Sequence, residues 1–359
     1  MSKSINSFLG ANTPDGFVNF FDELYNPYEN SNMYIIKGGP GTGKSSFMKK
    51  LAKKANDLGF DTELVYCGSD TNSLDGLFIP RLNFAIADGT SPHVIEPSFP
   101  GAVENILNLG EFWDGDLLKE NADFIRALTL ENSIYHRRSA KFLAAAGALG
   151  DDITRIVSDH VNLEKIESFV TRFVSREVPR KANGEIGKKK KRFLSSIGPT
   201  GIVCFSDTIN TLATKIVGID DEYGVVSGVL LEQIGERAIK NGYNVVFCHN
   251  PLKPKNYLEH IIIEELSLCV SAIDPMFDFD LEYERIVHVS RFLDVDKVKE
   301  NKQKLSFCKK TIAELVGESI SLLTKAKSIH DDLEDYYINA MDFTDLDDFC
   351  EEFSLEIFE

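Results

Sequence analysis

The sequence predicts an α/β protein built from two tandem repeats, each a mainly parallel sheet with flanking helices plus a helical subdomain. Three observations predict it. A glycine-rich loop stands between a strand-like run and a helix-like run near residue 40. Matches between the two halves of the chain run in the same order. Each half closes on a long stretch rich in Leu, Ala, Glu and Lys at helical spacing.

The duplication sets the domains. Phe8, Pro14, Gly16, Phe20 and Asp22 recur as Phe193, Pro199, Gly201, Phe205 and Asp207, a shift of 193 − 8 = 185. The strand-like ELVYC ending at Cys67 recurs as NVVFC ending at Cys248, 248 − 67 = 181. IPRLNFAIA from Ile79 resembles IEELSLCVS from Ile263, and FWDGDLLKEN from Phe112 resembles FLDVDKVKEN from Phe292. Ile106/Ile286 and Phe169/Phe349 continue the series. Residues 1–180 and 193–359 are therefore read as copies, with 181–192 as a linker. In that linker Gly, Asn and Lys crowd together without apolar periodicity. Its run Lys188 to Arg192 reads as a solvated tether before it reads as an anion contact. Copies joined this closely are expected to pack on each other. The helical parts span roughly 102–178 and 282–357, where the stripe Leu117, Leu118, Phe124, Ile125 and Leu128 is expected to be core.

In the first repeat the order of elements carries chemistry. Tyr34-Ile35-Ile36 is a buried-strand run, and Phe47, Met48, Leu51, Ala52, Ala55 and Leu58 follow helical spacing up to Gly59, a helix-ending glycine. Between them stands Gly38-Gly39-Pro40-Gly41-Thr42-Gly43-Lys44-Ser45, which fits GxxxxGK[ST], with Ser46 next. Strand, loop, helix is the setting a phosphate loop needs. Glycines let backbone amides approach phosphate oxygens, and the helix N-terminus adds its dipole. Lys44 is placed to reach the β- and γ-phosphates, and the Ser45 hydroxyl to ligate Mg²⁺. The apolar run Phe84 to Ala87 ends in Asp88, the second expected Mg²⁺ ligand, with no adjacent glutamate to activate water. Asp70 and Asp75, in CGSDTNSLDG, are candidates for the missing base at the carboxyl edge of the sheet, or else turn residues. His93 and one of Arg137 or Arg138 are weaker candidates for a phosphate contact or lid.

The second repeat lacks the loop. Its equivalent reads KIVGIDDEYGVV from Lys215, where Gly218 and Gly224 remain but no Lys-Ser follows. Asp220, Asp221 and Glu222 stand where a polyphosphate would lie. A like charge at 4 Å costs on the order of 1–4 kcal/mol. Ala272 occupies the position of Asp88, with Asp274 two residues late. This copy is expected not to bind Mg-nucleotide.

Composition excludes other classes. With 39 basic and 56 acidic residues the formal charge is −17, so general nucleic-acid binding is not expected. Six scattered cysteines form no CxxC pair, which speaks against a zinc ribbon and suits a reducing compartment. No run approaches the roughly 18 apolar residues of a membrane span, and the first residues lack the apolar core of a signal peptide. A cytoplasmic protein is expected.

Taken together, the tandem halves, IIKGGPGTGKSS, SDTNSLDG, IADGTSPHV and PGAVENILNLGEFWD resemble an uncharacterised bacterial family of tandem (duplicated) P-loop ATPase-like proteins. The resemblance implies two P-loop NTPase-like repeats and ATP binding, with Gly38, Gly43, Lys44, Ser45 and Asp88 carried over by motif. Family members often hold a second intact loop, which is missing here. The expected function is Mg-ATP binding with hydrolysis, Lys44, Asp70 and Asp88 being the catalytic candidates. A small-molecule or nucleotide kinase, and a nucleotide-gated binding module with little turnover, are the alternatives. The absence of an Asn-Lys-x-Asp string favours ATP over GTP.

Overall fold

The computed structural model describes residues 2–26, 32–91, 94–182, 184–255 and 257–359. The first repeat opens with β1 (Ser4–Phe8) and a hairpin of β2 (Gly10–Thr13) and β3 (Gly16–Asn19). There follow β4 (Asn32–Lys37), α1 (Lys44–Asp57), β5 (Thr62–Cys67), β6 (Asp70–Ile79), β7 (Phe84–Asp88) and β8 (Glu104–Asn108). Three helices complete it, α2 (Gly115–Glu120), α3 (Ala122–Ser158) and α4 (Leu163–Glu177).

The six-stranded sheet runs β1-β5-β6-β7-β4-β8. Three of its ladders are parallel, but β6 is antiparallel to both β5 and β7. The sheet is therefore mixed, where a mainly parallel one was expected. The reason is local. Only Gly68 and Ser69 separate β5 from β6, whereas a parallel crossover needs about a dozen residues. The segment read as a polar turn is thus a strand, with bulges near Tyr66 absorbing its irregular start.

The second repeat holds β9 (Lys189–Arg192), β10 (Ser195–Gly198), β11 (Gly201–Cys204), α5 (Ser206–Leu212), β12 (Lys215–Asp220) and α6 (Val225–Lys240). Then come β13 (Val245–His249), β14 (Leu258–Ile263), β15 (Leu268–Ile273), β16 (Arg285–His288), α7 (Val295–Glu300), α8 (Lys302–Ile338) and α9 (Phe343–Phe358). Its sheet, read from the β9 edge, runs β9-β13-β14-β15-β12-β16. That order, and the antiparallel placing of β14 between β13 and β15, repeats the first sheet strand for strand. The chain is thus α/β, with two mixed sheets of six strands and nine α-helices among the described residues.

Residues 189–192 correct the linker reading: they form β9, paired parallel with β13. Lys189 lays its stem across the sheet end, with Nζ 3.9 Å from the centroid of the Phe247 ring and 2.9 Å from Glu236. A lysine-rich edge strand leaves no apolar alternation to read, because the stems cover the sheet and the charges stay wet.

The helices cross over. The apolar face of α1, through Phe47, Met48 and Leu51, is covered by Leu346, Cys350 and Phe353 of α9. The matching face of α6, through Val226, Leu230 and Ile234, is covered by Ile166, Val170 and Phe173 of α4. Each repeat's last helix therefore packs on the other repeat's sheet, so the sequence repeat and the packed unit do not coincide. The two 37-residue helices α3 and α8, each about 55 Å long, lie antiparallel. The buried Ser139 and Ser319 hydroxyls meet at 2.7 Å midway. At one end Asp114 N donates to Ala340 O and Asp342 N to Phe112 O, both at 2.7 Å. At the other, Asp294 N donates to His160 O at 2.9 Å and Asn162 N to Phe292 O at 2.8 Å. Phe8 and Phe193 exchange reciprocal backbone bonds of 2.8 and 2.9 Å.

The stripe expected to be core is not. Phe124 is 62% exposed, and Leu117, Leu118, Ile125 and Leu128 are only half-buried. Leu117 and Leu118 fall in the short α2, and in α3 the Phe124 ring stacks on Tyr336 of α8. Among the described residues no helix is long and apolar enough to cross a membrane.

Candidate functional site

The chain leaves β4 at Lys37, turns through six residues and enters α1 at Lys44. Gly41 and Gly43 adopt φ of 69° and 87°, a region open to glycine and costly for other residues. Thr42 Oγ1 donates to Gly39 O at 2.9 Å, closing the loop on itself. Lys44 Nζ folds back over the loop, donating to Gly39 O at 2.6 Å and Gly38 O at 3.2 Å. It also lies 3.6 Å from Asp88 Oδ2, both side chains being largely buried. Strand β7 sits beside β4 with Asp88 opposite Ile36, which brings its carboxylate to the foot of the loop. Asp88 Oδ1 is held by the Thr90 N–H at 2.9 Å and the Thr90 hydroxyl at 2.6 Å. Ser45 Oγ accepts from Leu74 N at 2.9 Å, and Ser46 is exposed on the next position.

The donor set fits a hard divalent cation, since Ser45 offers a hydroxyl oxygen and Asp88 a carboxylate at the same loop. Among the described residues no cluster of three or more His, Cys, Asp or Glu could hold a metal ion. Such a cation would therefore complete its shell with water or with oxygens of a bound ligand.

Asp70 and Asp75 part company. Asp70 stands at the start of β6, accepting from Asn72 N and the Ser73 hydroxyl, both at 3.0 Å. Lys327 of α8 lies 3.5 Å from Asp70 Oδ2. Burial alone would raise the Asp70 pKa, but the Asn72 N–H, Lys327 and Ser73 outweigh it and hold the carboxyl below its ordinary range. Asp75 is buried inside β6; burial, and after it the Asp75 carboxylate, pushes the Cys67 thiol well up. It nonetheless lies at the loop edge: its neighbour Leu74 donates its N–H to Ser45 Oγ, and it stands one residue beyond the Gly76–Ala87 pair, level with Asp88 on β7. Arg137 and Arg138 are exposed near the middle of α3, beside Ser139. The turn of α8 that touches the loop is at Glu334, 334 − 319 = 15 residues, or roughly 22 Å, along the bundle from that midpoint. Neither arginine is a clamp on the loop. His93 lies outside the described residues.

The residues that do cover the loop come from the other repeat. A Cβ on Gly39 would strike the Tyr337 ring. One on Gly41 would stand 2.9 Å from Glu334 O, and one on Gly43 2.9 Å from Leu346. The corner between α8 and α9 thus rests on the glycines. No motif marks Lys327, Glu334 or Tyr337. The signal lay in comparing the copies: their counterparts 180 residues earlier are Gly147, Thr154 and Val157.

The loop of the second repeat is rebuilt. Only four residues separate β12 from α6, against six in the first. Gly224 keeps the left-handed turn, φ 75°. Asp221 is buried, its carboxylate accepting from Ser227 N at 2.8 Å and Tyr223 N at 3.2 Å. A built-in carboxylate thus occupies the N-terminus of α6, where an external anion would go. Glu222 pairs with Lys309 at 3.2 Å and Asp220 with His288 at 2.9 Å, so these acids are not simply repulsive. Tyr257 fills the remaining space above Gly224. Asp274 is half-buried after β15, and that burial raises its carboxyl.

No family model matches the chain, and no curated protein or solved structure matches it.

Proposed function

We propose that the chain is a P-loop NTPase-like protein that binds one Mg-ATP, hydrolyses it, and belongs with the tandem P-loop ATPase-like proteins its motifs resemble. The observation that supports this best is Lys44, folded over the loop carbonyls and 3.6 Å from Asp88 on the adjoining strand. Gly38 to Ser46 would cradle the phosphates, with Lys44 neutralising the β- and γ-oxygens. Ser45 and Asp88 would hold Mg²⁺, which supplies charge neutralisation on the transferring phosphoryl group. Asp70 is assigned to hold Lys327 of α8 against the start of β6: a carboxyl kept below its ordinary range is a poor proton acceptor. This speaks against Asp70 as the base of hydrolysis and of a kinase alike, and leaves charge neutralisation by Lys44 and Mg²⁺ to carry the reaction, or a slow nucleotide gate. The repeats would act as a pseudo-twofold pair in which the second completes the site of the first. A cytoplasmic setting agrees with six free cysteines.

Calorimetric titration with Mg-ATP tests the reading. One nucleotide per chain is expected, because Asp221 fills the second loop and Val226 replaces its serine. A stoichiometry near two would refute the rebuilt loop, and no binding would refute the phosphate loop itself.

A further inference from the structure

Beside the loop, a shallow, open and mostly polar depression of about 600 Å³ lies between the two repeats. Trp113 and Phe112 line it from the first repeat, Met341 and Phe343 from the second. It adjoins the loop at two points. Phe343 stands 3.6 Å from where a Cβ on Gly43 would be, and the Trp113 ring lies 5.9 Å from the Tyr337 ring that covers Gly39. We propose that this cleft is a purine subsite, in which the nucleotide base stacks on Trp113 and Phe343 while its phosphates lie on the loop. The inference rests on the phosphate-loop reading and names where the rest of that ligand goes.

Charge sets the orientation. Glu111, Asp114, Asp342 and Asp345 rim the cleft, so it disfavours an anionic group and accepts hydrogen bonds from an exocyclic amino group. The loop does the reverse. A ligand with one neutral aromatic end and one polyanionic end fits only one way round. Aromatic faces are worth a large share of base affinity and need no sequence-specific contact.

The other side of the molecule supplies the contrast. The positions equivalent to Trp113, Tyr337 and Phe343, each 180 residues away, are Leu293, Val157 and Leu163. The acids Glu111 and Asp345 become Arg291 and Lys165. The aromatic rings of Trp113, Tyr337 and Phe343 and the acids Glu111 and Asp345 therefore accompany only the intact loop, whereas Phe112 and Asp114 persist as Phe292 and Asp294. Packing alone does not require this difference, since leucines fill the same corner on the other side.

Trp113 is the single tryptophan of the chain, so its fluorescence reports on the cleft. The full-length protein is titrated with Mg-ATP and, separately, with Mg-tripolyphosphate, which offers the phosphates without a base. ATP should quench the emission, and tripolyphosphate should bind by calorimetry without quenching. Trp113→Leu, which copies the second repeat, should weaken ATP at least about tenfold and leave tripolyphosphate affinity unchanged. If ATP saturates the protein by calorimetry without quenching, or Trp113→Leu binds ATP as the parent does, the base lies elsewhere and the proposal is overturned. If neither ligand binds, the phosphate-loop reading falls and takes the subsite with it.

Discussion

Replacing Lys44 by alanine is expected to weaken Mg-ATP binding by at least about 100-fold while the chain stays folded. The lysine supplies the one loop cation aimed at the β- and γ-phosphates in the proposed site. A hydrogen bond between charged partners is worth roughly 1.5–3 kcal/mol, and a polyphosphate presents several acceptors to it. The fold should tolerate the change. Lys44 Nζ satisfies two loop carbonyls that neighbouring water can satisfy instead, Asp88 loses its 3.6 Å partner but keeps both bonds from Thr90, and Thr42 still closes the loop onto Gly39. Lys53→Ala is the control: it removes one charge from an exposed position of the same helix and should leave affinity within about twofold. Circular dichroism confirms the fold, and calorimetry reads the affinity. Unchanged affinity in a folded Lys44→Ala protein refutes the phosphate-loop assignment.

What the sequence shows of this site is what is local. The loop, its strand and its helix are contiguous, and their signals are glycine placement and a change of apolar period. Duplication was legible because co-linear matches survive loop insertion, and the repeated strand order agrees with it. Three things were not legible. Strand β6 is rich in Asp, Asn and Ser, turn formers whose preference lost to pairing with β5 and β7. Strand β9 hides in lysines. The crossing of α4 and α9 leaves no mark either, because an apolar stripe such as Leu346, Cys350 and Phe353 states that a face is covered and not which copy covers it. For the same reason Glu334 and Tyr337 could be placed beside the loop only by tertiary structure.

Arg192 and Glu63 form the tie whose loss should cost the most stability. Arg192 lies in β9 of the second sheet, Glu63 in β5 of the first, and both are almost fully buried. The guanidinium grips the carboxylate with two nitrogens, Nε to Oε1 and Nη2 to Oε2. Ser7 donates to Glu63 Oε1 at 2.9 Å, and Arg192 Nη1 donates to Lys191 O at 2.8 Å. Removing one partner of such a pair leaves an uncompensated buried charge, costing about 3–5 kcal/mol. Arg192→Ala should therefore lower the stability measured by urea unfolding at pH 7 by that amount. The double variant Arg192→Met, Glu63→Leu should recover most of it, since neither charge then remains to be buried. The pH dependence carries the sign. Burial would raise the Glu63 pKa, but Arg192 and Ser7 outweigh it and hold the carboxyl below its ordinary range. In the parent the pair's contribution is therefore present above the unfolded carboxylate pKa and is lost as pH falls through the lower folded value. In Arg192→Ala burial acts unopposed by the guanidinium and should raise the folded pKa, so the variant gains by taking up a proton. Its deficit against the parent should shrink as pH falls from 7 towards the unfolded pKa of about 4.3. A deficit under about 1 kcal/mol at pH 7, or one that grows on acidification, would mean that the carboxylate finds water or another cation, and that the buried ion pair does not tie the two sheets together.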